Sequence, residues 1–209
     1  MDNIVKLVKE RAPNCNVLTL DLDLKQKSAC EKLVSDHIAH HKALDTLVLN
    51  HGTQDVQTNF ADISSDQWLN TFEVNIHPHF YIFQAALKHM PKGGTITMNA
   101  SVNPFVGHPK LIDYTATKGA MVAFARALSN SIVKSKGIRV NVVAPGPIWT
   151  PLIVATMPKE SQESFGTTVP MGRPGQPVEV ATCFVFLARP DSGYISGQVL
   201  HPNGGNVVA

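Results

Sequence analysis

What most constrains this chain is an alternation: short aliphatic runs of strand length are separated by longer stretches with helical periodicity, from one end to the other. The runs are "NVLTLDL" (16–22), "LDTLVLNHG" (44–52), "GTITMNAS" (94–101) and "IRVNVVAPGP" (138–147), with "GQVLHPNGG" (197–205) as a last short strand and turn. Between them lie "KSACEKLVSDHIAHHK" (27–42), "SSDQWLNTFEVN" (64–75), which is expected to continue through "FYIFQAALKHM" (80–90), "TKGAMVAFARALSNSIVKSKG" (117–137) and "PVEVATCFVFLA" (177–188). Ser64 followed by Gln67 resembles a capping box, and Gly137 is placed to stop the long helix. Strands alternating with helices predict a parallel sheet covered by helices on both faces, with ligands bound at the carboxyl ends of the strands.

Composition narrows the class. The 209 residues are 44% hydrophobic and 16% charged, which suits one compact domain over 1–209. With 18 basic and 16 acidic residues the net charge is +2, and no run of one sign points to nucleic acid or an anionic membrane. A small-molecule partner is expected instead. Cys15, Cys30 and Cys183 are odd in number and lack CxxC spacing, so no disulfide framework or zinc site is expected, and a reducing cytoplasm fits. The opening "MDNIVKLVKERAPN" is an amphipathic helical pattern rather than a signal peptide, and no run reaches membrane-spanning length. His77 and His79, and the adjacent His40 and His41, lack an acidic or cysteine partner at ligand spacing, so no metal is assigned.

Chemistry-bearing residues fall where strands end. Asp21 lies in the first run, Asn50 to Gly52 close the second, Ser101 the third, and the Pro145-Gly146 turn the fourth. Just beyond Ser101, Tyr114 and Lys118 stand four apart at the start of a helix, on one face, with the ammonium near the phenol. A nearby cation lowers a phenol's pKa, which would make an acid–base group, whereas a bare Tyr-x-x-x-Lys also reads as a solvated helix face. Asp36 and Asp113 read as caps or solvent-facing groups.

Taken together, "NHG", Asn75 in "FEVN", Ser101, "YTATK" and "APGPIWT" occur in the order and at about the spacing of the short-chain dehydrogenase/reductase family, which the chain resembles from Asp21 to the terminal "GGNVVA". "GHPKLIDYTATKGA" resembles the branch that contains glucose/ribitol-type dehydrogenases. The resemblance implies a Rossmann-like parallel sheet, an NAD or NADP cofactor, and hydride transfer with a small or medium alcohol or carbonyl. It implies Tyr114 as proton donor and acceptor, Lys118 as the cation that lowers its pKa and holds the nicotinamide ribose, Ser101 on the substrate oxygen, and Asn75 keeping a relay water. On the cofactor side it implies Asp21 at the adenine, Asn50 with Gly52 near the adenosine ribose, the Pro145-Gly146 turn, and Ile148 and Thr150 at the carboxamide and phosphate. The stretch "IWTPLIVATMPKESQESFGTTVPMGRPGQP" resembles a substrate lid, with Trp149, Leu152, Ile153, Met157 and Phe165 as apolar walls. A homo-oligomer, dimer or tetramer, is implied through the helices of 66–90 and 117–135.

The chain departs from the family pattern in three places. Leu49 and His51 stand where the family's NNAG motif has asparagine and alanine, and no TGxxxGxG turn occurs, the first glycine being Gly52. The expectation is a domain truncated at its N-terminus, lacking the first two family strands, with weak dinucleotide binding if the chain is complete. "NVLTLDL" is then expected to pair directly with "DTLVLN", or a second copy of the chain to cover that edge. Two other readings of the same residues are a cofactor-independent lyase, isomerase or dehydratase and a non-catalytic homologue.

Overall fold

The computed structural model describes residues 2–208. In chain order the helices and strands are α1 (Asp2–Arg11), α2 (Lys27–His41), β1 (Thr46–Leu49), α3 (Ser65–Asn75), α4 (His77–Ala86), β2 (Thr95–Asn99), the single turn α5 (Asn103–Val106), α6 (Ile112–Lys136), β3 (Arg139–Val143), α7 (Pro151–Thr156), α8 (Lys159–Gln162), α9 (Pro177–Ala188) and β4 (Val199–Leu200). The four strands form one parallel sheet in the order β1-β2-β3-β4, with Leu47 opposite Ile96 and Ile96 opposite Val140. Parallel neighbours need a crossover, and helices supply them on both faces.

The core lies where α4 and α6 cover the sheet. Ile96, Met98, Val140 and Val142 from β2 and β3 are buried with Met121, Val122, Ala125 and Ile132 of α6 and with Ile82, Phe83 and Ala86 of α4. Those α6 residues recur at helical spacing, so burying one stripe fixes the rotation of the helix. A smaller cluster of Val143, Val180 and Leu187 packs α9 on the other face. Gly137 ends α6 at φ 66°, the left-handed conformation that its position requires.

Two expectations fail. Residues 16–22 form no strand: they run as irregular chain, and no backbone–backbone hydrogen bond involves them among the described residues. An aliphatic run becomes a strand only by pairing, and this one meets no strand edge, so β1 pairs on one side alone, with β2. The helix expected to run on from Asn75 instead breaks at Ile76, with φ −120° and ψ −49°, into α3 and α4. No helix is long and apolar enough to cross a membrane among the described residues.

Two glycines separate packing from flexibility. A Cβ on Gly146 would lie 2.8 Å from Asn203 Cα and 2.9 Å from its carbonyl oxygen, whereas a Cβ on Gly119, inside α6, would meet only Pro104 Cβ at 3.8 Å. Gly146→Ala is expected to destabilise by about 1–3 kcal/mol through backbone displacement. Gly119→Ala is expected to stabilise by about 0.5–1 kcal/mol through helix propensity. Urea midpoints of the two variants check the opposite signs.

Candidate active site

The site gathers at the carboxyl ends of β1 and β2. Lys118 belongs to the stripe of α6 that also buries Met121 and Val122, so its side chain runs into the interior and is 3% exposed. Its Nζ donates to the Asn99 carbonyl at 2.7 Å, at the end of β2, and lies 3.7 Å from Met121 Sδ. The Tyr114 ring lies one turn earlier, its centroid 5.4 Å from Nζ. Buried Ser101 lies beside the phenol and accepts a hydrogen bond from Asn103 N at 3.2 Å. Its loop is held by Val102 N donating to Pro145 O at 2.9 Å, which couples the ends of β2 and β3.

Charge in this interior is unfavourable. Burial alone pulls Lys118 down to about 7, and burial pushes Tyr114 up to about 12 despite the opposing influence of the Ser101 hydroxyl. The expected lowering of the phenol by Lys118 is therefore not what the protein has in this state. The ammonium sits over the ring rather than at the oxygen, and it is itself near its deprotonation point. His51 and His79 lie behind it with centroids 4.6 Å apart, held neutral by burial at about 4 and about 2, with Lys118 adding repulsion in each case. His79, expected to be a surface or packing histidine, is fully buried and lies in packing contact with His51.

Asn75 is buried and committed to protein partners. Its Oδ1 accepts from Thr53 N at 2.7 Å, and its Nδ2 donates to Thr53 O at 2.9 Å and to Thr117 Oγ1 at 3.0 Å. Both amide hydrogens are thus used, leaving none for a water. A Cβ on Gly52 would stand 3.3 Å from Asn75 Oδ1 and 3.5 Å from Lys118 Nζ, so the missing side chain leaves room beside the amine.

The remaining candidates scatter along the strand ends. Exposed Asn50 accepts from Asn99 Nδ2 at 2.7 Å. Gly146 N donates to Pro202 O at 3.1 Å, Ile148 bridges to Gly175, and Thr150 precedes α7. A recess of about 360 Å³ opens there, lined by Pro147, Ile148, Val169 and Met171. A larger groove of about 440 Å³ between α2 and α4 holds none of the candidate residues. Asp21 is exposed on the unpaired stretch, and no hydrogen bond joins it to the others among the described residues. In the stretch expected to be a lid, the Trp149 and Phe165 ring centroids lie 6.1 Å apart, and Gln54 Nε2, buried after β1, donates to Thr156 Oγ1 at 2.9 Å.

Sequence reasoning took Asp113 for a cap or solvent-facing group and Gln67 for half of a capping box, and it passed over Thr71 and Thr117. Asp113 is fully buried, not solvent-facing, and accepts from Thr71 Oγ1 at 2.8 Å and Gln67 Nε2 at 3.0 Å. The available signal was a shared interval: Thr71 and Asn75 are four apart on α3, and so are Asp113 and Thr117 on α6.

This architecture has known counterparts. A family model described as enoyl-(acyl carrier protein) reductase matches residues 2–206. General stress protein 39 of Bacillus subtilis is 46% identical over 203 residues, covering 97% of this chain and 70% of its own length. The glucose and ribitol dehydrogenase of Daucus carota is 48% identical over 191 residues, 91% of this chain and 65% of its own. The crystal structure of a short-chain dehydrogenase/reductase, a glucose/ribitol dehydrogenase from Brucella melitensis, superposes with a TM-score of 0.84 at 28% identity, covering 100% of this chain and 83% of that one. The sheet order, the Ser-Tyr-Lys grouping and these matches agree: the chain belongs to the short-chain dehydrogenase/reductase family.

Proposed function

We propose that Tyr114 is the proton donor and acceptor of a hydride-transfer reaction between a nicotinamide dinucleotide and a small alcohol or carbonyl, with Ser101 on the reacting oxygen and Lys118 beside both. The chain is an oxidoreductase of the short-chain dehydrogenase/reductase type, and its family implies NAD or NADP without distinguishing them. One observation carries the role assignment: a half-buried phenol beside a buried serine hydroxyl, with a buried amine one helical turn away.

The residues fit a dinucleotide at its nicotinamide end. An ammonium has three donors, and Lys118 commits one strongly, to Asn99 O, while the absence of a side chain on Gly52 leaves space next to it for a ribose diol. Ile148 and Thr150, beyond the Pro145-Gly146 turn, would hold the carboxamide and phosphate side, and Asn50 and Asp21 the adenosine side. When bound in reduced form, the nicotinamide supplies the hydride. As charge grows on a carbonyl oxygen, Ser101 donates a hydrogen bond to it and Tyr114 delivers its proton. In the reverse direction Tyr114 removes the alcohol proton. A protonated Lys118 stabilises the phenolate left behind. A relay water at Asn75 would have to use an atom other than its side-chain amide hydrogens.

The activity named for the carrot relative makes a polyol and its aldose the first substrate pair to try, and the half-apolar lid wall of Trp149 and Phe165 suits a ring or short chain. Tyr114→Phe removes one hydroxyl and is expected to lower turnover about 10²- to 10⁴-fold while the fold is retained. A variant that keeps full turnover removes Tyr114 from the mechanism.

Lys118 yields a stability prediction that needs no substrate. Its pKa falls from 10.5 in the unfolded chain to about 7 in the fold, so between these values the unfolded state binds the extra proton and this residue's contribution to stability rises with pH. Its cost is full below pH 7 and vanishes above the unfolded value. Lys118→Met is therefore expected to be more stable than the parent at about pH 6, with the gap narrowing by about pH 9, as urea midpoints at the two pH values will show.

We also propose that the chain forms a homo-oligomer through the outer faces of α3, α4 and α6, where Leu69, Phe80, Ala123 and Ala127 are exposed. Light scattering at micromolar concentration is expected to give a multiple of the monomer mass. A monomer mass removes the proposal.

A further inference from the structure

We propose that Asp113 is a positioning residue: through Thr71 and Gln67 of α3 its carboxylate fixes the first turn of α6, and thereby the Tyr114 phenol. The role rests on the reading of Tyr114 as the acid–base group.

The need for such a residue is visible at the helix start. The N-cap position of α6 is Leu111, which makes no side-chain cap, so the first amides of a helix carrying two functional side chains lack the usual acceptor. Asp113 supplies one from inside the helix, its Oδ1 accepting from Tyr114 N at 2.8 Å. Its Oδ2 points the other way, into α3, where it accepts from Thr71 Oγ1 and Gln67 Nε2. Gln67 is held in turn: Gln57 Nε2 donates to its Oε1 at 2.8 Å, while Gln57 N donates to Lys110 O at 3.0 Å, just upstream of α6. The bonds close a ring around the helix start.

A second tie lies one turn further on. Asn75 Nδ2 reaches Thr117 Oγ1, and Thr117 Oγ1 donates to Tyr114 O at 2.7 Å. The ties join position 71 to 113 and 75 to 117, so the two helices are pinned at successive turns. Each pin immediately precedes a functional residue: Asp113 before Tyr114, Thr117 before Lys118.

The carboxylate is fully buried, and none of the ion pairs among the described residues includes it. A buried charge without a cation opposes folding unless its hydrogen bonds compensate it, and an apolar residue would pack more favourably. Its position beside Tyr114 gives that cost a purpose: a displacement of about 1 Å in a reacting group is enough to slow a reaction by about 10²-fold.

The test uses the full chain and five variants: Asp113→Ala, Thr71→Val, Thr71→Ser, Tyr114→Phe and the double variant Asp113→Ala/Tyr114→Phe. Thr71→Val cuts one tie and leaves the carboxylate in place, which separates position from charge. With NADP+ and ribitol as probes, Asp113→Ala and Thr71→Val are expected to lose about 10- to 100-fold in kcat with KM within about threefold. Thr71→Ser restores kcat, and Asp113→Ala/Tyr114→Phe is no slower than Tyr114→Phe. Independently of turnover, phenolate absorbance, taken as the difference from the matching Tyr114→Phe chain, is expected to appear at lower pH in Thr71→Val and Asp113→Ala, because a loosened first turn exposes the phenol. Full turnover in Tyr114→Phe would sink the acid–base reading itself. Lost turnover there with none lost in Thr71→Val, or a titration that moves in Asp113→Ala but not in Thr71→Val, would overturn the positioning role. If neither probe is turned over, the titration alone decides, and an unmoved phenol in Thr71→Val refutes the proposal.

Discussion

The site depends on the seating of α6 against β2 and β3. The stripe formed by Met121, Val122, Ala125 and Ile132 is buried, and hydrophobic burial of that many side chains, at about 1.5–3 kcal/mol each, sets the rotation of the helix about its axis. Lys118 lies on the same stripe one turn earlier, so the packing that stabilises the domain also drives an amine into its interior. Nothing in the core favours that amine. Its cost is accepted where the stripe meets the strand ends, and the Asn99 carbonyl is the one strong acceptor it finds there.

Electrostatics follow from that placement. Both members of the Tyr-Lys pair are pushed toward neutrality, in opposite directions along the pH scale, because each is removed from water before any counter-charge is present. The two histidines behind the amine are neutral as well, since burial and Lys118 keep them unprotonated. The interior near the reacting groups therefore carries little charge except at Asp113. That carboxylate is held by neutral donors alone, so its orientation is set by hydrogen-bond geometry rather than by an ion pair.

What could be read from the sequence divides along physical lines. The runs that became β1, β2 and β3 were legible because their pairing partners are themselves aliphatic runs, and the long helix because its stripe and its terminal Gly137 are both local signals. The run at 16–22 was misread because a strand is a property of two segments, and its composition carries no information about whether a partner edge is within reach. Gln67 shows a finer limit. Ser64 does cap α3, accepting from Gln67 N at 3.1 Å, but the Gln67 side chain that a capping box would turn back toward Ser64 goes to Asp113 instead. That Ser101 lies near Tyr114 and Lys118 was expected from the family resemblance, whereas the spacing of the Tyr-Lys pair alone put the ammonium near the phenol. The anchor on Asp113 was not legible, since an aspartate at a helix start reads as a solvated cap until a second helix is known to cover it.

The hydrogen bond between Gln54 and Thr156 bears on how firmly the segment beyond β3 is seated. It joins the segment after β1 to the short helix α7, and Thr156 Oγ1 donates onward to Leu152 O at 2.7 Å, within that helix. When the bond breaks, the Thr156 hydroxyl keeps its intrahelical acceptor, and water reaching the freed Gln54 amide replaces the lost partner at little free-energy cost. A bond that exchanges so easily with water orients the 150–165 segment against the end of β1 without adding much to the free energy that keeps it there.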